Sequence, residues 1–338
     1  MNFEHLNLKP ESKPRLIAVV DTEEEFDWSK PFSREATSVS HIQGIHRLQE
    51  VYERFSVQPV YVVDYPVASQ SAAWRPLRDL MEQERASIGA HLHPWVTPPY
   101  REKLSPSNSY GGNLSRDLEY AKLAHLTEQI ERSFDFRPTV FKAGRYGIGP
   151  NTLNSLAALG YEVDLSPSPP LDCSEDGGPD FSRMSHEPYL DSATGLLVIL
   201  GTGAHHGWLR GDLVAIRRWC TSSWRTKFHV NSLLCRLGAL ERSWLSPESF
   251  SSSKMITLTK AMLKQGSRFF VVSLHSSIIM PGATPYAKDE KEVAMLIDRL
   301  HDYFTFFFEE LGGEPWTPLA AREHWSAESA LIPSLYFH

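Results

Sequence analysis

Short apolar runs recur along this chain, each closing on a polar residue, and between them apolar positions fall at helical spacing. Residues 16–20 read as a strand closing on Asp21, and 59–63 as a second closing on Asp64. Residues 86–91 form a third that ends on His91. Residues 139–141 form a fourth before Lys142; Val163 and Leu165 flank Asp164; 196–200 and 269–274 complete the set, the last running into His275. Ile42, Ile45, Leu48, Val51, Tyr52 and Phe55 predict a helix. So do Leu77, Leu80 and Met81; the series Leu118, Ala121, Leu126, Ile130 and Phe134; and residues 152–159, 256–263 and 293–308. Strands alternating with helices predict βα units around a mostly parallel sheet.

Two stretches break the alternation. Residues 167–188 are rich in Pro, Ser, Gly and Asp and predict a long loop. Residues 211–245 have a helical pattern but carry Trp219, Trp224, Phe228, Trp244 and many arginines, so 170–245 is expected to be an insertion or cap. With no linker or internal repeat, residues 1–338 are expected to form one domain, with 1–14 as an N-terminal extension.

Composition narrows the function. Of 338 residues, 41% are hydrophobic and 22% charged, as in ordinary globular proteins, and the net charge of −7 argues against nucleic acid or an anionic membrane as the partner. Cys173, Cys220 and Cys235 have neither a disulfide framework nor metal-binding spacing. No apolar run approaches the ~20 residues of a membrane span, and the first residues lack a signal-like apolar core, so a cytoplasmic location is expected. Oligomeric state is not set by anything in the chain.

The strand ends carry the chemistry. Parallel α/β folds bind ligands at the C-terminal ends of their strands, where Asp21, Asp64, His91, Lys142, Asp164 and His275 fall. His91 and His93 are one residue apart, so in extended chain both imidazoles face the same side. Two imidazoles suit zinc, or else cobalt, nickel or iron, better than magnesium or calcium. The run Asp21-Thr22-Glu23-Glu24-Glu25 can supply a third ligand. Such a site with an open position is hydrolytic. His205 and His206 form a second pair, able to touch substrate or a second metal, or simply a polar loop. Trp95, Trp208 and Tyr286 are candidates to stack on sugar rings, with packing in the core as the alternative. Arg217, Arg218 and the arginines up to Arg242 are either an anion site or a solvated helix face.

In their order, these motifs resemble the NodB-type polysaccharide deacetylases, most closely the divergent WalW-like subgroup. Val19-Val20-Asp21-Thr22-Glu23 stands where that family has an acidic pair closing its first strand. His91-Leu92-His93 stands for its histidine motif, and Phe141-Lys142-Ala143-Gly144-Arg145-Tyr146-Gly147 resembles its Arg-Pro-Tyr-Gly turn. Asp164 and Leu274-His275 match its later motifs. The family's second Asp falls at Thr22, which moves the metal ligand to Glu23 or Glu24. Glu23 is preferred, because it lies two residues after Asp21 and shares its side.

The resemblance implies a distorted (β/α)7 barrel and removal of an acetyl group from an acetylated carbohydrate. The metal ligands would be Glu23, His91 and His93. Asp21 would be the base, His275 the acid, and Tyr146 the source of a backbone N–H for the oxyanion. Lys142 or Arg145 would hold Asp21 ionised. Read from the residues alone, Asp164 is expected to orient His275 or cap a loop, Asp64 to be structural or lie at the substrate's edge, and His206 and Trp208 to touch substrate unless they belong to a polar loop and the core. The competing readings are a related hydrolase of cyclic amides or formyl-amino sugars, and a catalytically silent carbohydrate binder.

Overall fold

A computed structural model describes residues 3–6, 8–206 and 241–331. Its main sheet contains β1 (Phe3–His5), β2 (Arg15–Thr22), β3 (Val60–Val63), β4 (Ser87–Leu92), β5 (Val140–Ala143), β6 (Val163–Asp164), β7 (Tyr189–Asp191) and β8 (Leu197–Val198). A separate pair, β9 (Gly203–His206) and β10 (Glu241–Trp244), follows; β11 (Phe269–His275) and β12 (Glu314–Trp316) return to the main sheet. Seven strands, in the order β8-β6-β5-β4-β3-β2-β11, are all parallel. This mixed α/β architecture is the expected distorted (β/α)7 barrel. Among the described residues the α-helices are α1 (His46–Arg54), α2 (Tyr65–Ser69), α3 (Ser71–Glu82), α4 (Arg116–Phe134), α5 (Thr152–Ala158), α6 (Ser252–Lys264), α7 (Glu290–Phe304) and α8 (Pro318–Leu331).

Alternation along the strands builds two apolar layers. Leu16, Ala18 and Val20, with Tyr61, Val63, Ile88, Ala90 and Phe141, face the surrounding helices. Ile17, Val19, Val60, Val62, Val140, Val163, Leu197 and Val271 fill the barrel. Ala321 and Trp325 of α8 join that interior layer, and Trp325 meets the Phe269 ring at 5.4 Å. The barrel is therefore packed at the amino-terminal ends of its strands and open at the other, where the candidate reactive residues lie.

The end strands of the parallel series, β8 and β11, do not pair with each other. The gap is laced instead by Val271 N–H to Thr202 Oγ1 (2.8 Å), Leu245 N–H to the Thr202 carbonyl (2.9 Å) and Ser273 N–H to the Leu245 carbonyl (3.0 Å).

Several expectations change. The helix expected over 42–55 is broken near Ile45 into a 3-10 turn, Ser40–Gly44, and α1. The helix expected to 308 gives way after Phe304 to a π turn, Thr305–Glu310. The N-terminal extension contributes β1, which pairs antiparallel with β7. His205 and His206 lie in a strand rather than a glycine-rich loop, because Gly203–His206 pairs with Glu241–Trp244. For the same reason, the end of the helical pattern at 211–245 is extended chain. Trp208, Arg217, Arg218, Trp219, Cys220, Trp224, Phe228 and Cys235 lie outside the described residues. Among the described residues, no helix is long and apolar enough to cross a membrane.

Candidate active site

β2 ends by delivering consecutive acids to different destinations. Asp21 and Glu23 share the interior side, as their two-residue spacing predicts. Asp21 receives the Lys142 ammonium on both carboxylate oxygens at 2.6 Å, and the same Nζ donates to Ser273 Oγ at 2.8 Å. Of the two cations weighed for Asp21, the structure places Lys142 there. Arg145 instead donates to Asp176 Oδ2 at 2.7 Å and to Ser109, with its guanidinium 4.2 Å from the Tyr110 ring centroid. It lines the cavity wall without touching the expected base.

Glu23 Oε2 lies 3.0 Å from His91 Nε2 and 3.1 Å from His93 Nε2. One donor atom from each of Glu23, His91 and His93 lies within 4.8 Å of the others, and all three residues are buried. Burial opposes ionisation of Glu23, yet the charges of His93 and His275 and the imidazole hydrogen bonds hold its pKa well below the usual carboxylate range.

The far sides of both rings are occupied. His91 Nδ1 donates to the Lys142 carbonyl at 2.9 Å, and His93 Nδ1 donates to Glu24 Oε2 at 2.6 Å. Metal-ligating histidines are held this way, with Nδ1–H on a carbonyl or carboxylate, and an ion at Nε2 would take the place of the proton that now faces Glu23. The donor set of two imidazoles and one carboxylate therefore fits a zinc-like ion.

Glu24 turns the other way. Its carboxylate accepts from Trp95 Nε1 at 2.7 Å, and its own N–H donates to Asp64 Oδ2 at 2.8 Å. Asp64 also caps α2 by accepting from Val67 N–H at 2.8 Å. Burial, then the neighbouring Glu24 charge, pushes the Asp64 pKa well above its ordinary value. Glu24, Asp64 and His93 also converge within 4.8 Å. With Glu24 committed to Trp95 and His93, this group reads as a brace for the histidines. Glu25 leaves the site and accepts from His41, Ser38 and Ser40.

Trp95 is not the sugar platform the sequence suggested. It is 1% exposed, and its ring stacks on His93 at 4.2 Å. The exposed aromatics on the cavity are Trp28 at 49% and Tyr286 at 45%. Trp28 packs edge-on against Phe26 at 4.9 Å.

His275, at the end of β11, turns Nε2 toward Asp21 (4.0 Å) and Glu23 (3.8 Å). Its partner is a residue the sequence reading missed. Glu248 accepts from His275 Nδ1 at 2.9 Å and from the His275 backbone N–H at 2.6 Å. Burial works against the imidazolium, but the Glu248 charge, followed by that of Glu23, raises the His275 pKa to about 10.

The turn after β5 completes the wall. A Cβ on Gly144 would lie 2.1 Å from His93 Cδ2 and 2.6 Å from the Leu92 carbonyl oxygen, so only glycine lets this turn pack against the ring. Arg145 and Tyr146 both have positive φ, 53° and 59°, a costly conformation in non-glycine residues. Behind the histidines, the buried Lys122 of α4 donates to the carbonyls of Pro94 (2.9 Å) and Thr97 (2.6 Å) and pairs with Glu102 at 3.1 Å.

Asp164 is out of phase with the site. Val163 and Leu165 face the barrel interior, whereas Asp164 pairs in register with Phe141, whose side chain faces the helices. Its Oδ1 accepts from Ser166 N–H and Oγ, while the buried Oδ2 has no hydrogen-bond partner among the described residues. Of the two roles weighed for it, Asp164 takes the second, capping the loop after β6 through Ser166, and it does not orient His275. His206 contributes backbone to β9.

Asp21, Glu23, His91, His93, Arg145, Tyr146 and His275 share one cavity of about 450 Å³. No protein-family model matches the chain, and no curated protein sequence matches it. Solved structures do. A Mycobacterium smegmatis protein assigned as a polysaccharide deacetylase aligns over 96% of both chains at 15% identity and a TM-score of 0.52. A Pseudomonas aeruginosa PAO1 protein with the same assignment aligns over 93% of this chain and 91% of its own, at 14% identity and TM-score 0.51. The allantoinase PuuE aligns over 95% and 94%, at 14% identity and TM-score 0.51. The chain thus has the fold of the polysaccharide deacetylases, which the allantoinase shares.

Proposed function

We propose that the chain is a metal-dependent hydrolase that removes the acetyl group of an N-acetylated sugar. Glu23, His91 and His93 would hold a zinc-like divalent ion. Bound there, the ion supplies Lewis acidity that lowers the pKa of water and polarises the amide carbonyl.

The chain's own residues do the rest. Asp21 takes the proton of the attacking water, and the Lys142 ammonium on both of its oxygens holds it in place. The Tyr146 backbone N–H steadies the oxygen charge that develops as water adds to the carbonyl. The C–N bond then breaks, and His275, held cationic by Glu248, gives its proton to the departing amine. Acetate and a free amino sugar result. Trp28 and Tyr286 offer exposed ring faces for the sugar at the mouth of the cavity.

The observation that carries this reading is the meeting of an ion-paired Asp, a Glu-His-His set and a carboxylate-backed His in one cavity, from strands far apart in sequence. The test is acetate release from N-acetylated sugars and short oligosaccharides by zinc-loaded protein. Release that disappears with a chelator and returns with metal is expected. Stoichiometric metal with no release across the panel would favour the silent binder.

A further inference from the structure

The reactive groups stand between two unlike spaces. Outward lies the 450 Å³ cavity, rimmed by Trp28, Arg145, Asp176 and Tyr286. On the other side of Tyr146 and His275 lies a second cavity of about 210 Å³, in the gap between β8 and β11. Its apolar walls are Val19, Leu165, Trp244 and Val271, and Lys142, Glu248 and several serines also line it. Tyr146, Leu171, His275 and Tyr286 line both spaces. Lys142, on the inner cavity, is bonded to Asp21 on the outer one.

An amide attacked at this junction has one substituent on each side. Sugar hydroxyls suit the more polar outer space, and the larger apolar share of the inner lining suits an alkyl chain. The acyl group therefore goes inward. At ~30 Å³ per water-sized unit, 210 Å³ holds several such units, where acetyl offers a single methyl. We propose that the inner cavity is an acyl-chain pocket and that the preferred amide carries an acyl group of about four to six carbons. This rests on the amide-hydrolase reading of the same site and extends it from acetyl to longer chains. Each methylene moved from water into such a pocket raises kcat/KM about fourfold.

The test uses the zinc-loaded full chain with N-acetyl-, N-butanoyl- and N-hexanoylglucosamine, reading free amine. The expected result is a kcat/KM at least about tenfold higher for butanoyl than for acetyl. Ser246→Leu, which narrows the inner cavity away from the reacting groups, is expected to erase that preference while leaving acetyl cleavage unchanged. Val271→Leu serves the same purpose if thermal unfolding shows that Ser246→Leu is misfolded. Cleavage of acetyl with flat or falling rates for longer chains would overturn the pocket while leaving the hydrolase standing. If nothing is cleaved, the hydrolase reading fails, and calorimetry with acetate and hexanoate still decides the pocket. Hexanoate binding that exceeds acetate and weakens in Ser246→Leu supports it; equal binding overturns it.

Discussion

The two flanks of the barrel are built differently. From β2 to β5 the parallel ladder is unbroken, and each strand ends in a residue that lines the cavity or braces it: Asp21, Asp64, His91 and Lys142. Between β8 and β11 there is no ladder; side-chain and loop contacts of Thr202 and Leu245 bridge the gap. A continuous ladder fixes strand ends against one another, which suits groups that must share a proton or an ion. The unpaired flank leaves room, and it admits Glu248 from a loop. Position is set on one side and selectivity on the other.

The closed flank predicts the largest effects. His91→Ala should lose both metal and turnover with the fold retained, as checked by elemental analysis and circular dichroism; full metal occupancy would remove His91 from the ligand set. Asp21→Asn should retain the metal and lower kcat by about 10²–10⁴-fold, the usual contribution of a general base. Near-normal turnover would show that another group takes the proton.

The open flank predicts a shift rather than a loss. A general acid must be protonated to act, so activity falls as pH rises through its pKa. Glu248 makes the largest contribution raising the His275 pKa toward about 10. Glu248→Gln should therefore move the basic limb of the kcat–pH profile downward, by about 1–3 units for the loss of a neighbouring charge. An unmoved limb would detach Glu248 from the acid.

The smallest effect belongs to Asp164, on the outer face. Burial raises its pKa to about 6, against hydrogen bonds from Ser166 that favour the charged form. The folded state thus binds a proton more tightly than the unfolded chain, and stability from this group grows as pH falls from about 6 toward 4. Above pH 6 the buried charge is a penalty. Asp164→Asn should leave turnover unchanged and gain about 1–3 kcal/mol at pH 8, read as a rise in Tm that shrinks toward pH 4. A large loss of kcat would return Asp164 to the active site.

The strands were legible because apolar runs and parity survive in the sequence: 16–20, 59–63 and 269–274 lie within a residue or two of the observed bounds. Parity also placed Glu23 beside Asp21 and His93 beside His91. The same rule, applied to Asp164 against Val163 and Leu165, would have put it outside; being last in its strand outweighed that argument. Glu248 could not be read, since it reaches His275 from a loop whose path depends on how the barrel gap is bridged. For Trp95 the core alternative holds, and only the fold could decide it, because burial is set by the neighbours: His93 and Glu24 claim both its ring and its N–H.

Lys122 gives α4 a grip on the segment that carries His93, through the carbonyls of Pro94 and Thr97. When α4 frays or shifts, that grip is lost and the imidazole loses its alignment, although the β-ladder beneath remains intact. A change in α4 that removes this grip would therefore act on the imidazole from a distance, through the segment of chain that carries it.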